Sequence, residues 1–269
     1  MDAWLGQYCI NVTDLDEAVR FYETLGLTNT SRTEIPNAFE AIMENADGQG
    51  GKLQLAQQKE QDGPIDHGNA FWKLYVNTND IAAQHQAALD AGYESTMAPM
   101  RMEQWPVTIA FLKDPDGYTV ELVERHPWPD DLAGASAWVG QYCIYVSDLE
   151  QTIAFYEAAG LACTSRTDIT DAKEAILEHP GGRGGKLQLA QKLADDAPIA
   201  MGSAMWKLYI NTDDCEGLHA SLVGAGYREA VAPMFFERWN TTMSFVLDPD
   251  GYQVEIITLA RDRRDAAPG

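Results

Sequence analysis

The stretch GQYCINVTDLDEAVRFYETLGL, residues 6–27, returns 134 positions later as GQYCIYVSDLEQTIAFYEAAGL, residues 140–161. Apolar and polar residues alternate through its first seven positions, which predicts a strand with two different faces. Thr13 or Asp14 can cap a helix that runs roughly from Leu15 to Leu25, because apolar residues there recur at helical spacing. The stretch therefore predicts a strand followed by a helix, and the chain contains it twice.

The rest of each copy repeats with the same period. No gap is needed from Gly6 to Glu124, and a period of this length indicates duplicated domains and not a solenoid. The clearest further matches are GGKLQLAQ at 50–57 and 184–191, WKLYVNT at 72–78 with WKLYINT at 206–212, and DPDGYTVELV at 114–123 with DPDGYQVEII at 248–257.

The join between the copies is rich in Pro, Asp and Ala, which is typical of a short linker. We predict a first domain over residues 1–127, a linker over 128–136, a second domain over 137–262 and a flexible tail over 263–269. Within each copy, one strand, one helix and three strands are followed by the same order again. The chain is therefore predicted to be an α+β protein with four βαβββ modules.

Composition excludes several classes of partner. The formal net charge is −22, which repels nucleic acids and anionic membranes. The sequence has no apolar run long enough to span a membrane, no secretory signal, and too few cysteines, four, for a disulfide framework. We expect a soluble cytoplasmic protein whose partner is a small molecule and which binds neither nucleic acid nor membrane.

The motif V-x-D-L-x-x-A-x-x-F-Y-x-x-L-G-L, with D-P-D-G-Y-x-V-E-L after it, resembles the vicinal oxygen chelate (VOC) superfamily. This superfamily includes glyoxalase I, methylmalonyl-CoA epimerase, extradiol (dihydroxybiphenyl-type) dioxygenases and bleomycin-resistance proteins. The resemblance covers both copies almost end to end. It implies two tandem glyoxalase-like domains in which paired βαβββ modules form curled mixed sheets that enclose a cleft. Function does not follow, because the fold hosts metal enzymes and metal-free binders alike.

The resemblance also implies positions for the site. Where the family has metal ligands on four strands, the first copy has Gln7, Gln54, Phe71 and Glu121, and the second has Gln141, Gln188, Met205 and Glu255. One glutamate and two glutamines could hold a divalent metal weakly, with Mn, Mg, Ni and Zn as candidates. The resemblance therefore implies metal sites made of Gln7, Gln54 and Glu121, and of Gln141, Gln188 and Glu255. Without histidine, an extradiol dioxygenase is disfavoured.

Two lysines argue against a bound metal. Lys73 has the same strand parity as Phe71, and Lys207 repeats it in the second copy, so both are predicted to face the clefts. An ammonium there could occupy the space of the metal and pair with Glu121 or Glu255, because a buried carboxylate needs a partner.

Two functions follow from these residues. The first is a glyoxalase-like lyase, isomerase or epimerase, in which Glu121 and Glu255 act as bases next to a carbonyl group. In this enzyme Lys73, Lys207 or a metal would stabilise the enolate oxygen. The second is a metal-free binding or sequestering protein of the bleomycin-resistance type, with an aromatic and apolar cleft. The glutamines and the residues at the Phe71 and Met205 positions would contact the ligand, together with Tyr75, Met100, Trp105, Tyr209, Met234 and Trp239.

The sequence leaves the pairing of the modules open. If the first module pairs with the second, Gln7 and Gln54 share a cleft with Glu121. If it pairs with the fourth, they share a cleft with Glu255. A monomer and a homodimer are both compatible with four modules in one chain.

Overall fold

A computed structural model describes residues 2–128, 136–194 and 197–258. The predicted linker and tail fall largely on residues 129–135 and 259–269, outside the described residues. Four helices lie in the described part of the chain: α1 (Leu15–Thr24), α2 (Ile81–Asp90), α3 (Leu149–Ala158) and α4 (Cys215–Gly224).

The strands follow the predicted order in each of four modules, and each helix lies between the first and second strand of its module. The α+β class and the four βαβββ modules are therefore confirmed. The first two modules contain β1 (Ala3–Asn11), β2 (Thr28–Glu34), β3 (Ala38–Glu44), β4 (Lys52–Gln58), β5 (Phe71–Thr78), β6 (Ser95–Arg101), β7 (Val107–Lys113) and β8 (Thr119–Arg125). The third and fourth contain β9 (Ala137–Tyr145), β10 (Ala162–Asp168), β11 (Ala172–Glu178), β12 (Lys186–Lys192), β13 (Met205–Thr212), β14 (Arg228–Phe236), β15 (Thr241–Leu247) and β16 (Gln253–Thr258).

The modules pair across the two sequence halves. Sheet A has the strand order β14-β15-β16-β13-β1-β4-β3-β2, so it joins the first module to the fourth. Sheet B has the order β10-β11-β12-β9-β5-β8-β7-β6, so it joins the second module to the third. Both sheets are mixed, because the first and last strands of each module run parallel while the other pairs are antiparallel. Of the two pairings that the sequence left open, the structure has the exchanged one.

The central antiparallel pairs set the register at the middle of each sheet. In sheet A, Gln7 of β1 lies opposite Tyr209 of β13, and Cys9 lies opposite Lys207. In sheet B, β5 and β9 meet in the equivalent register. Polar residues of two distant modules therefore meet on one face of each sheet, and we call these faces cleft A and cleft B.

The opposite faces of the sheets form the core with the helices. Tyr8 and Tyr142, on the first strands of the two domains, stack with ring centroids 4.7 Å apart, and both side chains are fully buried. Asp14 begins α1 by accepting a hydrogen bond from the backbone N–H of Glu17, as an N-cap should. The alternation predicted for β1 therefore directs its apolar residues to the helices and its polar residues to cleft A.

The Asp-Pro-Asp-Gly turns fasten one module to another. Asp114 accepts hydrogen bonds from the backbone N–H groups of Asp116 and Tyr118, and from the hydroxyl of Tyr22 on α1. Asp248 makes the equivalent contacts in the other turn. Each turn thus joins a helix of one module to the strand that carries a candidate catalytic glutamate. None of the helices in the described ranges has the length and apolar character required to cross a membrane.

Candidate functional site

Cleft A encloses about 660 Å³ between the first and fourth modules. Its polar floor consists of side chains on the strands at the centre of sheet A, and its walls are largely apolar. Its lining includes the floor residues Gln7, Glu40, Gln54, Lys207, Tyr209 and Glu255, and the wall residues Phe236, Trp239, Met243 and Ile257.

A buried ammonium lies at the floor of cleft A. Lys207 Nζ is 2.8 Å from Glu255 Oε2, and the two side chains are only 10% and 2% exposed. Three aromatic rings surround the same Nζ atom, with centroids at 4.3 Å for Trp206, 4.8 Å for Tyr209 and 5.6 Å for Phe245. Aromatic faces attract a cation, so the cage and the carboxylate together hold the charged form of the lysine in place.

Glu255 is held in an apolar surrounding. Burial raises the pKa of Glu255, while the Lys207 ammonium and a hydrogen bond with Tyr209 oppose the rise. Ionised Glu255 therefore depends on Lys207 for its stability inside the sheet.

Two amide side chains lie beside this ion pair. Gln7 Nε2 donates to Gln54 Oε1 at 2.5 Å, which fixes the two amides relative to each other. Gln7 also lies opposite Tyr209 in the central strand pair of the sheet. The amides are thus ordered by the protein and present hydrogen-bonding groups at the cleft floor.

A second carboxylate, which the sequence reasoning missed, also lines cleft A. Glu40 of β3 is half-buried and has no ion pair within the described residues. Burial raises the pKa of Glu40; the neighbouring Glu255 also raises it, and Lys207 and Gln54 lower it. The alternation of β3 could have revealed this residue, because Glu40 shares the strand face of Ile42, which lies opposite Gln54.

Cleft B has the same floor. Lys73 Nζ lies 2.7 Å from Glu121 Oε2 and has ring centroids of Trp72, Tyr75 and Phe111 at 4.3, 4.8 and 5.6 Å. Burial raises the pKa of Glu121, opposed by the Lys73 ammonium.

The amide pair and the second carboxylate also recur in cleft B. Gln141 Nε2 donates to Gln188 Oε1 at 2.5 Å. Glu174 is the counterpart of Glu40, and burial raises its pKa while Lys73 lowers it. The duplication has thus produced two clefts with one set of floor residues.

The open space above the two floors differs. The cavity of cleft B encloses about 390 Å³ and is lined by Glu121, although neither Lys73 nor Glu174 lines it. Its other lining residues are Tyr75, Asn77, Trp105, Pro106, Val107, Ile109, Val123, Arg125, His126, Pro127 and Gln141. The larger cavity of cleft A reaches both the lysine and the second carboxylate.

The prediction that Phe71 and Met205 face the clefts is wrong. Met205 belongs to the core cluster on the helix side of the sheets, and Phe71 packs against that cluster next to Tyr118 and Tyr142. The register of the central pairs shifts between Phe71 and Lys73, and again opposite Met205. Such a bulge breaks the strict alternation from which the shared parity was inferred.

The other predicted ligand contacts divide into lining and rim residues. Tyr75 and Trp105 line cleft B, whereas Tyr209 and Trp239 line cleft A. Met100 and Met234 lie opposite Ile109 and Met243, which line the clefts, yet about half of each side chain is exposed. The two methionines are therefore at the rims, on the outer strands β6 and β14.

The donor set does not fit the divalent metal that the resemblance implies. A metal bound to Glu255 Oε2 would lie roughly 2.0–2.6 Å from it, on the atom that already contacts the Lys207 ammonium, and the two cations would repel each other. Lys73 and Glu121 pose the same conflict. Among the residues with described positions, no three His, Cys, Asp or Glu side chains converge on one point. A metal site made of Gln7, Gln54 and Glu121 is also excluded, because Gln7 and Gln54 lie in sheet A and Glu121 lies in sheet B.

Comparison with known proteins identifies the family. The model of the Glyoxalase/Bleomycin resistance protein/Dioxygenase superfamily matches residues 4–122 and again residues 138–256. This chain belongs to that superfamily. The two matches correspond to the two sequence copies, each of which contributes one module to sheet A and one to sheet B.

Several curated superfamily members resemble the whole chain. The protein named lactoylglutathione lyase GLX1 of Arabidopsis thaliana is 26% identical over 267 residues, which is 91% of this chain and 88% of the relative. A second relative from the same plant, named probable lactoylglutathione lyase, chloroplastic, is 26% identical over 251 residues, or 90% of this chain and 69% of the relative.

Solved structures share the fold over almost the whole chain. Glyoxalase I from Zea mays superposes with a TM-score of 0.84 at 23% identity, covering 96% of this chain and 92% of the maize chain. A putative dioxygenase from Bacillus subtilis superposes with a TM-score of 0.72 at 14% identity, covering 98% and 89%. At these identities the likeness establishes the fold.

Proposed function

We propose that the protein is a small-molecule enzyme that moves a proton at a carbon next to a carbonyl group, as lyases and isomerases do, in cleft A. The observation that carries the proposal is the caged ammonium of Lys207, which lies with two carboxylates at the floor of a cavity of about 660 Å³. The relatives named lactoylglutathione lyase support the same class of reaction.

Lys207 supplies the electrophile in this proposal. An ammonium has three donors, and Glu255 uses one, so donors remain for the carbonyl oxygen of a substrate. A preorganised positive charge stabilises the oxygen as it becomes negative, and this effect is strong where water is excluded. Gln7 and Gln54 orient the substrate through their fixed amides.

The two carboxylates, Glu255 and Glu40, have different roles in this proposal. Glu255 holds the ammonium, whereas Glu40 has no cation of its own and is free to take the proton. The C–H bond breaks, its electron pair moves into the enolate, and Glu40 becomes the carboxylic acid. In a substrate with a hydroxyl group on the reacting carbon, the hydroxyl proton moves to the former carbonyl oxygen and Glu40 returns its proton to the former carbonyl carbon, which gives an isomer. In a substrate with a leaving group on the β-carbon, that group departs with its bonding electrons and takes the proton from Glu40, while the enolate becomes an unsaturated carbonyl compound, which is the product of a lyase.

This assignment refines the expectation that Glu121 and Glu255 are bases. Both glutamates form short ion pairs with buried lysines. Because a cation stabilises the ionised form of a carboxylate, a paired carboxylate is a poorer proton acceptor than an unpaired one. Cleft A is favoured over cleft B because its cavity reaches the lysine and the second carboxylate.

Exchange of protons with solvent tests the proposal. S-lactoylglutathione and a panel of small ketones are incubated with the protein in heavy water, and the C–H signal next to the carbonyl is followed by NMR. We expect exchange by the wild type and a loss of about 100-fold or more in Lys207→Met. A chelator should leave the rate unchanged.

Lys52→Met is the matched control, because Lys52 is half exposed, forms a 2.8 Å pair with Glu44, and does not line the cavity of cleft A. Its exchange rate should equal that of the wild type. Exchange that survives in Lys207→Met, or that a chelator abolishes, would overturn the assignment of the electrophile.

A binding or sequestering protein is the second candidate. The apolar wall of cleft A, with Phe236, Trp239, Met243 and Ile257, favours it, because such walls bind ligands without any reaction. A probe that binds in cleft A with no exchange in any member of the panel would favour this function over the enzyme.

A further inference from the structure

Cleft B has a cationic mouth that has no equivalent in the lining of cleft A. Arg125 is the last residue of β8, on the strand face of Glu121 and Val123, and it lines the cavity. Its side chain is exposed and has no hydrogen bond or ion pair within the described residues. In a chain with a net charge of −22, an arginine at a cavity mouth without an acidic partner is available for an external anion.

Two further polar residues line the same mouth. His126 follows Arg125, and its Nε2 lies 2.9 Å from the hydroxyl of Thr108. Asn77 is 3% exposed, and its Oδ1 has no hydrogen-bond partner within the described part of the chain. An unpartnered amide oxygen in a cavity wall is a place where a hydroxyl or N–H group of a ligand would donate a hydrogen bond.

The charge balance of the two clefts differs accordingly. In cleft A, Lys207 is opposed by Glu255 and Glu40, which leaves one net negative charge. In cleft B, the carboxylate of Glu121 and the guanidinium of Arg125 line the cavity, and their charges cancel. Arg238, next to Trp239 in the sequence, does not line the cavity of cleft A; it donates a hydrogen bond to the backbone oxygen of Glu34 at 3.3 Å and lies against the ring of Trp239.

We propose that cleft B is a binding site for a small molecule with an apolar body and a carboxylate or phosphate group, with Arg125 and His126 at the anion and the apolar body against Trp105. This site goes beyond the proposed function, because binding in cleft B does not require a reaction in cleft A.

The dimensions of the strand limit the ligand. Arg125 lies four positions after Glu121, a distance of roughly 13 Å along an extended strand. The anionic group therefore lies several bonds away from the part of the ligand that reaches Glu121. The walls between them, Val107, Ile109 and Val123, suit an apolar or aromatic body.

Three matched ketones test the site. β-Benzoylpropionate carries a carboxylate, benzoylethylphosphonate carries a phosphonate, and β-benzoylpropionamide is the neutral control. Each is titrated into nitrogen-labelled protein while the indole N–H signals of Trp105 and Trp239 are followed; Trp105→Phe and Trp239→Phe assign the signals. Because the two tryptophans line different clefts, the titration reports which cleft is occupied.

We expect the anionic ketones to shift the Trp105 signal with a Kd about tenfold or more below that of the amide. Arg125→Gln should remove this preference, and Arg238→Gln should preserve it. The anionic ketone with the lower Kd shows whether the site prefers a carboxylate or a phosphate group.

Three outcomes would overturn the proposal. They are equal Kd values for all three ketones at Trp105, no shift of the Trp105 signal by any of them, and an unchanged preference in Arg125→Gln. Arg125 is exposed, so its replacement should leave the melting temperature unaltered.

Discussion

Cleft A and cleft B share a floor and differ at the mouth. Each floor has a caged lysine 2.7–2.8 Å from a buried glutamate, a glutamine pair and a second carboxylate. The cavity above one floor is about 660 Å³ and reaches the lysine, whereas the other is about 390 Å³ and ends in Arg125 and His126. The difference teaches that a duplicated site can keep its buried polar set while the surrounding loops and strand ends give the two cavities different volumes and different lining residues.

The largest expected difference between the clefts is catalytic. Glu40→Gln should lower the exchange rate in cleft A by about 100-fold or more, because the amide cannot accept the proton. Glu174→Gln, the matched change in cleft B, should leave the rate within about twofold of the wild-type rate.

The raised pKa of Glu40 also predicts that the rate still increases with pH above the usual pKa range of a glutamate, since only the carboxylate is a base.

Rates measured for both variants with one substrate decide between the clefts. Equal losses in Glu40→Gln and Glu174→Gln would show that both clefts react. A normal rate in Glu40→Gln would return the role of the base to Glu255.

Stability should distinguish the clefts far less than activity does. Lys207→Met leaves Glu255 buried without its cation, and we expect a loss of about 3–5 kcal/mol in the free energy of unfolding. Lys73→Met should cost slightly less, because Glu121 is 7% exposed and Glu255 only 2%. Urea denaturation measures both values.

The double variant Lys207→Met, Glu255→Met provides the internal control for that comparison. Removal of both charges should restore most of the lost stability, since the cost comes from the unpaired carboxylate. A double variant as unstable as Lys207→Met would instead assign the loss to packing of the aromatic cage.

The smallest difference between the two halves is expected in an effect that both share. Burial raises the pKa of Asp114 and of Asp248 to about 7, so the folded protein binds these protons more tightly than the unfolded chain. The resulting stabilisation is complete below about pH 4 and is lost as the pH rises through about 7. We expect the melting temperature to fall between about pH 5 and about pH 8, and to fall less in the double variant Asp114→Asn, Asp248→Asn.

Asp47→Asn, a change at an exposed carboxylate, should reproduce the wild-type slope. An identical slope in the Asp114 and Asp248 double variant would assign the pH dependence to the overall negative charge of the protein.

Much of the site could be predicted from the sequence because the residues recur on alternating strands. Strand parity placed Lys73 and Lys207, and the family resemblance implied the positions of the four glutamines. The structure has these residues beside the glutamates at the cleft floors. Glu40 and Glu174 were missed, although the parity of their strands was available. Phe71 and Met205 could not be placed, because a bulge that depends on the partner strand reverses the parity there.

The sequence by itself determined the four βαβββ modules, since strand and helix periodicity, caps and turns are local properties that the duplication displays twice. Only the tertiary structure decided that the first module pairs with the fourth and the second with the third, and hence that Gln7 shares a cleft with Glu255. Alternation fixes which face of a strand is polar but not which distant strand lies beside it. That choice depends on contacts between β1 and β13, about 200 residues apart, and on the burial of Tyr8 against Tyr142.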